Sequence, residues 1–183
     1  MKKITNHFLL ALPHMSDPIF KKSIIYICEH NKDGYMGLII NKPVSKNNAI
    51  DILKQIFPSE TRKFPNIYFG GPIKINRGIV LHSTNYETEG TYQISKTISL
   101  TSNDNIITDL DKGCGPSKFK FIIGYAGWAP GQLEKEIENG DWLLTTLDDI
   151  IVFNTPDNEK WENAFIELGI NSNSFSGGQS GIS

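Results

Sequence analysis

At 183 residues, with 39% hydrophobic and 21% charged side chains, the chain is long enough to bury one sizeable core, and disorder is not expected. A net charge of −2 opposes unspecific attraction to nucleic-acid phosphates. Two cysteines are too few for a disulfide scaffold or a four-cysteine zinc site, and no run of 18 apolar residues marks a membrane-spanning helix.

The charge is uneven along the chain. Residues 1–63 carry ten Lys/Arg against five Asp/Glu, and residues 64–183 carry eight against fifteen, so the two parts are +5 and −7. Interleaved within one domain, such parts neutralise each other; Lys2-Lys3, Lys21-Lys22 and Lys42 then read as a solvated face. The apolar run Phe8–Leu12 after Lys2-Lys3 is too short for a signal peptide, and a reducing cytoplasm is the expected compartment.

In chain order, Phe8–Leu12 and Ser23–Cys28 are short apolar runs separated by Pro13 and Asp17-Pro18, which predicts strand, turn, strand. Asn31-Lys32-Asp33-Gly34 is a turn signal leading into a further strand, Tyr35–Ile40, so a hairpin is predicted. Ile50, Leu53, Ile56 and Phe57 have helical spacing after Asn47-Asn48, with Pro58 as the stop.

Strands are predicted at Ile67–Phe69, Gly78–His82 and Tyr92–Leu100. A short helix capped by Ser102-Asn103 follows and ends at Gly113. Phe119–Tyr125 is nearly all apolar, as a central strand buried on both faces requires. Pro130 opens the next helix and Gly140 closes it. Strands are expected at Trp142–Leu144 and Ile150–Phe153. A last helix, with Thr155 as cap and Pro156 at its first position, buries Trp161, Ala164, Phe165 and Leu168 before Gly169; the tail, 170–183, is expected to be loose. The sum is an α+β fold: one domain over 1–183, core about 8–169, with a mixed or antiparallel sheet and about four helices.

Gly124, Gly127 and Gly131 lie between a strand and a helix, where phosphates bind, but their spacing fits neither the dinucleotide nor the Walker pattern. The helix they introduce carries Glu134, Glu136 and Glu138, which repel an anion; the loop reads as tight packing covered by Trp128. Cys28 and His30, two apart in a predicted strand, are expected to share a face, where an imidazole can activate a thiol. No third residue orients them, and a small buried thiol is the ordinary outcome. His30 and His82 with Glu29 and Asp33 lack zinc-site spacing, so no metal and no cofactor are expected.

Several motifs run in order along the chain: Pro13-His14-Met15-Ser16-Asp17-Pro18-Ile19-Phe20, Glu29-His30-Asn31, Asn41-Lys42-Pro43, Gly70-Gly71-Pro72, Arg77-Gly78, Leu81-His82 and Gly124-Tyr125-Ala126-Gly127-Trp128 with Gly131-Gln132-Leu133-Glu134. In this order they resemble the YqgE/AlgH family from about Phe8 to Gly169. One departure is the end, Gly181-Ile182-Ser183, where the family often has Gly-His-Ala. The resemblance implies a compact domain of strands and helices, cytosolic in bacteria, and assigns it no reaction. Part of the family carries a transcriptional-regulator label, which in a chain without a DNA-reading element implies a protein-mediated route.

The expectation is therefore a cytosolic protein that binds a protein or small ligand, with direct nucleic-acid binding and membrane association not expected. The candidate binding positions are Glu29, His30, Asn41, Gly70, Gly71, His82, Trp128 and Gln132; no catalytic residue is assigned. The alternative is an enzyme of unknown reaction with a site near Glu29-His30, Asn41 and Gly70-Gly71.

Overall fold

A computed structural model describes residues 4–56 and 66–172. Phe57, the expected stop at Pro58 and the ending Gly181-Ile182-Ser183 lie outside the described residues. So does the tail from 173 onward; Ile170, by contrast, packs against the core and donates its N–H to the Phe165 carbonyl (2.9 Å).

Among the described residues, which hold nine strands and five helices, the strands form one curled sheet. They are β1 (His7–Ala11), β2 (Ile24–Asn31), β3 (Gly34–Ile39), β4 (Ile67–Phe69), β5 (Ile73–Ser83), β6 (Thr91–Gln93), β7 (Ile98–Thr101), β8 (Phe119–Trp128) and β9 (Trp142–Thr145), in the order β6-β7-β5-β8-β3-β2-β1-β9, with β4 also on β8. All pairings are antiparallel except β4 with β8. Five helices cover the sheet: α1 (Lys46–Ile56), α2 (Asn105–Lys112), α3 (Gln132–Glu138), α4 (Ile150–Phe153) and α5 (Lys160–Glu167). The chain is thus a single compact α+β domain, as expected.

β8 organises the sheet because it serves two sets of neighbours. Its first part, Phe121–Ile123, pairs with β4 on one side and β5 on the other; its last part, Ala126–Trp128, pairs with β3. Gly124 separates the two parts at φ +69°, a left-handed conformation that glycine adopts without steric cost. A β-carbon there would lie 2.3 Å from the Gly71 carbonyl oxygen, and one on Gly71 would lie 2.3 Å from the Tyr125 carbonyl carbon. The two backbones cross in contact, which bends the strand and curls the sheet.

Strict alternation along the strands makes separate cores. Phe8, Leu10, Tyr26 and Cys28 face α4 and α5, joining Ile151, Val152, Trp161, Ala164 and Phe165. Leu9, Ala11, Ile25 and Ile27 face the other way, with Trp128, Leu133 and Trp142. Beyond the bend, Val80 and Phe121 pack with Ala49 of α1 and Ile106 of α2. β8 is buried on both faces, which accounts for its continuous apolar run.

Four local expectations are corrected. Tyr92–Leu100 is two strands, β6 and β7, because the Ser95 hydroxyl accepts from the N–H groups of Thr97 (3.2 Å) and Ile98 (3.1 Å) and closes a turn between them. Ile150–Phe153 is the short helix α4: the Asp148 carboxylate accepts from the Ile150 N–H (2.9 Å), and Ile151 and Val152 are buried in succession while Ile150 is exposed, which alternation forbids. The last helix starts at Lys160 rather than at Pro156, whose carbonyl accepts from Glu159 and Lys160 in a preceding turn, so Thr155 is not its cap. Similarly, α3 starts at Gln132, two residues after Pro130.

Candidate functional site

The β2–β3 hairpin and the end of β8 enclose an open groove of about 380 Å³. The turn is fixed by the Asn31 side-chain oxygen, which accepts from the Asp33 N–H (2.7 Å), and by Gly34, whose missing β-carbon would lie 1.9 Å from the Trp128 carbonyl oxygen. Tyr35, Met36, Ile73 and Tyr125 line the groove, with Glu29 and Asp33 on its rim; none of its lining residues is basic. Beside it, Ile73 and Ile75 of β5 are 36% and 59% exposed.

Of the sequence candidates, Glu29 and Trp128 line this groove. Trp128 is 5% exposed, and its indole N–H donates to the Glu136 carboxylate (2.7 Å). The same oxygen accepts from the Trp142 indole (2.9 Å), while the other accepts from the Gln132 amide (2.9 Å). Gln132 in turn accepts from the Ala129 N–H (3.0 Å). One carboxylate thus clamps both tryptophans and the loop that joins β8 to α3. Glu136 was legible in the sequence only as a helix-dipole charge.

His30 stacks on Tyr35 at 4.2 Å and accepts at Nδ1 from the Ile4 N–H (3.3 Å). Tyr35 donates to Glu134, and loss of solvation together with that bond pushes its hydroxyl up to about 12; the Tyr35 bond holds the Glu134 carboxyl below its usual range. Glu134 Oε2 is buried without a hydrogen-bond partner.

Cys28 and His30 do not share a face. A β-bulge between Ile27 and Glu29 inserts one residue, so Cys28 remains in the core beneath α5 while His30 pairs with Tyr35. Burial pushes the Cys28 thiol well above its ordinary range, the reverse of what a nucleophile needs.

Asn41 is engaged by backbone: it accepts from the Ile24 N–H and donates to the Lys22 carbonyl (both 2.9 Å). Gly70 and Gly71 press on β8, where their β-carbons would lie 2.4 Å and 2.3 Å from the backbone of Gly124 and Tyr125. His82 is fully buried between the Ser83 carbonyl (2.9 Å) and the Thr101 hydroxyl (2.8 Å), and burial lowers its pKa. Among the described residues, no three His, Cys, Asp or Glu side chains stand where they could hold a metal.

A second cluster, on the first half of β8, was not anticipated. The Lys120 and Lys160 ammonium groups both bond Asp157 Oδ1, at 3.0 Å and 3.1 Å, with the two lysine side chains 6% and 1% exposed. Tyr68 donates to Asp157 Oδ2 (2.9 Å), the Lys120 ammonium lies 3.7 Å from the Tyr68 ring centre, and Lys160 also donates to the Thr155 carbonyl. Burial, reinforced by Lys160 and opposed by Asp157, pushes Lys120 down to about 8. Burial alone would raise the Asp157 carboxyl, but Lys120, Tyr68 and Lys160 together hold it below the usual carboxylate range. The signal in sequence was a lysine at a buried position of an apolar strand, Phe119-Lys120-Phe121.

The family model described as AlgH-like, DUF179, matches residues 8–173, and the chain belongs to that family. It is 41% identical to the UPF0301 protein of Vibrio cholerae over 175 residues (91% of this chain, 92% of the relative), and 39% identical to that of Pseudoalteromonas translucida over 173 (92% and 93%). The solution structure of the AlgH protein from Pseudomonas aeruginosa superposes with a TM-score of 0.78 at 34% identity, covering 100% of both chains.

Proposed function

We propose that the chain is a cytosolic binding protein that engages a protein partner through the groove between the β2–β3 turn and Trp128. The observation that carries this reading is the groove itself: an apolar floor of Tyr35, Met36, Ile73 and Tyr125, continued by the exposed Ile75, beneath an acidic rim of Glu29 and Asp33. An apolar patch with a charged rim is how a protein surface recognises another, and the acidic rim selects a segment that places Lys or Arg beside an apolar side chain. The same rim disfavours a nucleic acid, so regulation of transcription by this chain, as part of its family is labelled, runs through the bound protein rather than through DNA.

Capture from bacterial lysate with the parent chain and two variants, Ile75→Asp and the pair Glu29→Lys with Asp33→Lys, tests the reading. A partner held by the parent at low salt and lost with both variants supports it. A partner held equally by all three sinks the groove as its binding surface, and so does a DNA fragment bound in place of a protein.

A further inference from the structure

The Lys120–Asp157–Lys160 cluster holds two ammonium groups and one carboxylate among side chains that are almost wholly removed from water, an excess of one positive charge. A fold does not need such an arrangement: apolar side chains of similar volume fill a core as well or better, and an uncompensated buried charge costs several kcal/mol in general. Two things relieve such an excess: loss of a proton, toward which the lowered pKa of Lys120 points, and a bound anion. The cluster is not sealed, for Lys120 and Tyr68 line an open cavity of about 380 Å³ with Ser117, Lys118, Phe119 and Asn154. An ammonium has three donors, of which Asp157 takes one while the Tyr68 ring covers another side of Lys120. At the rim, Lys118 donates to the Asn154 side-chain oxygen (3.0 Å), and the Ser117 hydroxyl donates to the Asn85 side-chain oxygen (3.0 Å) and lies 3.2 Å from the Ser83 hydroxyl, an exchangeable arrangement at an exposed position.

We propose that this cavity is a binding site for a small oxyanion, the phosphate or carboxylate group of a small molecule, received by the Lys120 ammonium with Lys118 and Ser117 at the mouth. The site is independent of the protein-binding groove, which lies at the other end of β8. Asp157 holds the two lysines in place and prevents their mutual repulsion from opening the cluster; because it neutralises only one of them, the remaining charge is left for the ligand. Tyr68, Phe119 and Phe153 give the cavity apolar walls, which fits an anion carried on an organic body better than a bare ion. The charged groups of the adjoining cavity are Lys118, which the two cavities share, Asp148 and Asp149. The Asp149 carboxylate is already engaged by the Ser95 (2.7 Å) and Thr97 hydroxyls, and Asp148 bonds the Ile150 N–H (2.9 Å), so neither is directed to Lys120 by these contacts.

Side-chain NMR of the lysine Cε and Nζ atoms in the whole chain provides the test, with inorganic phosphate and acetate as probes at constant ionic strength set by chloride. The expected result is a saturable shift of the Lys120 resonances with one or both probes, and a rise of the Lys120 pKa by ~1 unit as the bound anion favours its charged form. Which probe acts distinguishes phosphate from carboxylate. Lys118→Gln, at an exposed rim position, is expected to weaken binding several-fold, roughly threefold to tenfold, without loss of the fold, and Lys120→Met to abolish it. Should Lys120→Met fail to fold, the titration of the parent and the Lys118→Gln comparison decide alone. No saturable shift with either probe overturns the proposal, as does a shift that Lys118→Gln leaves unchanged. A shift with millimolar affinity that chloride reproduces at matched ionic strength is an adventitious ion only, and overturns it too.

Discussion

The two ends of β8 solve the burial of charge in opposite ways. At its C-terminal end the Glu136 carboxylate is surrounded by neutral donors, two indoles and an amide, each of which needs an acceptor once removed from water. Every partner there gains, and the cluster is complete in itself. In the first half of the strand, two lysines share one carboxylate and one positive charge is left over. The difference separates an arrangement that the fold requires from one that the fold only tolerates, and it is the second kind that points to a ligand.

Substitutions that strip each cluster of its centre test that distinction most severely. Replacing Asp157 by Asn leaves two buried ammonium groups without a counter-charge and is expected to cost about 3–5 kcal/mol. The loss should be smaller at about pH 9 than at pH 7, because Lys120 sheds its proton in that range; urea unfolding at the two pH values measures it. An equal loss at both would mean that the ammonium of Lys120 is not what Asp157 neutralises. Trp128→Ala is expected to cost about as much, ~3–5 kcal/mol, through lost contacts and a cavity beneath the loop. A melting temperature close to the parent's would sink the packing role of that loop.

A second comparison lies along the glycines, and its effects are smaller. Gly124 and Gly131 both have positive φ, +69° and +78°, but a β-carbon on Gly131 meets nothing within 4 Å, whereas one on Gly124 meets the Gly71 carbonyl at 2.3 Å. Gly131→Ala is therefore expected to cost about 1–2 kcal/mol, the steric cost of the left-handed conformation alone. Gly124→Ala adds a backbone collision and should cost about 3 kcal/mol or more. Similar melting temperatures for the two would show that the strand crossing relaxes readily. Glu136→Gln comes next: it retains oxygen and shape but offers one acceptor where three donors converge, for an expected loss of about 1–2 kcal/mol.

How far the sequence could be read follows the same division. Strands that carry their own pattern were legible: Phe8–Leu12, Ser23–Cys28 and the Asn31–Gly34 turn do so beside near neighbours, and Ile67–Phe69 does so although its partner β8 is distant in sequence. The errors arose where a short apolar run has no period of its own. Ile150–Phe153 is too brief to distinguish strand from helix, and the turn that leads into the helix is set by the Asp148 side chain, which accepts from the Ile150 N–H. The bulge at Cys28 left no mark, since no glycine or proline accompanies it, and it reversed which side chains share a face. For the sites, single motifs revealed residues but not partners. Trp128 and Gln132 were visible, while Glu136, which unites them, looked like one of three glutamates on a helix. Lys120 and Asp157 are 37 residues apart, and nothing local joins them.

The smallest expected effect is a slope of stability with pH, and it isolates the excess charge. Lys120 has a native pKa of about 8, below its ordinary 10.5, so the native state releases this proton before the unfolded chain does. Between those values the unfolded state binds more protons, and stability gained from this group rises with pH; below about 8 both states are protonated and it contributes no slope. Five groups act in the opposite sense. Tyr26, Cys28, Tyr35, Tyr68 and Tyr86 all have raised native pKa values, so each contributes stability that is lost as their native forms finally ionise at high pH, with a falling slope beginning near their ordinary values. Asp157, held low, contributes stability above the ordinary carboxylate range that disappears only as the pH falls through its native value. The useful window is therefore about pH 8 to 9.5, below the range in which Tyr68 ionises and above that of Asp157, and the useful quantity is the difference between the parent and Lys120→Met, in which the groups remote from Lys120 cancel. That difference should grow in the parent's favour with rising pH by at most about 2 kcal/mol across the window. A flat difference would mean that Lys120 keeps its proton and that Asp157 and the Tyr68 ring already satisfy it, which would make the basic cluster as complete as the acidic one.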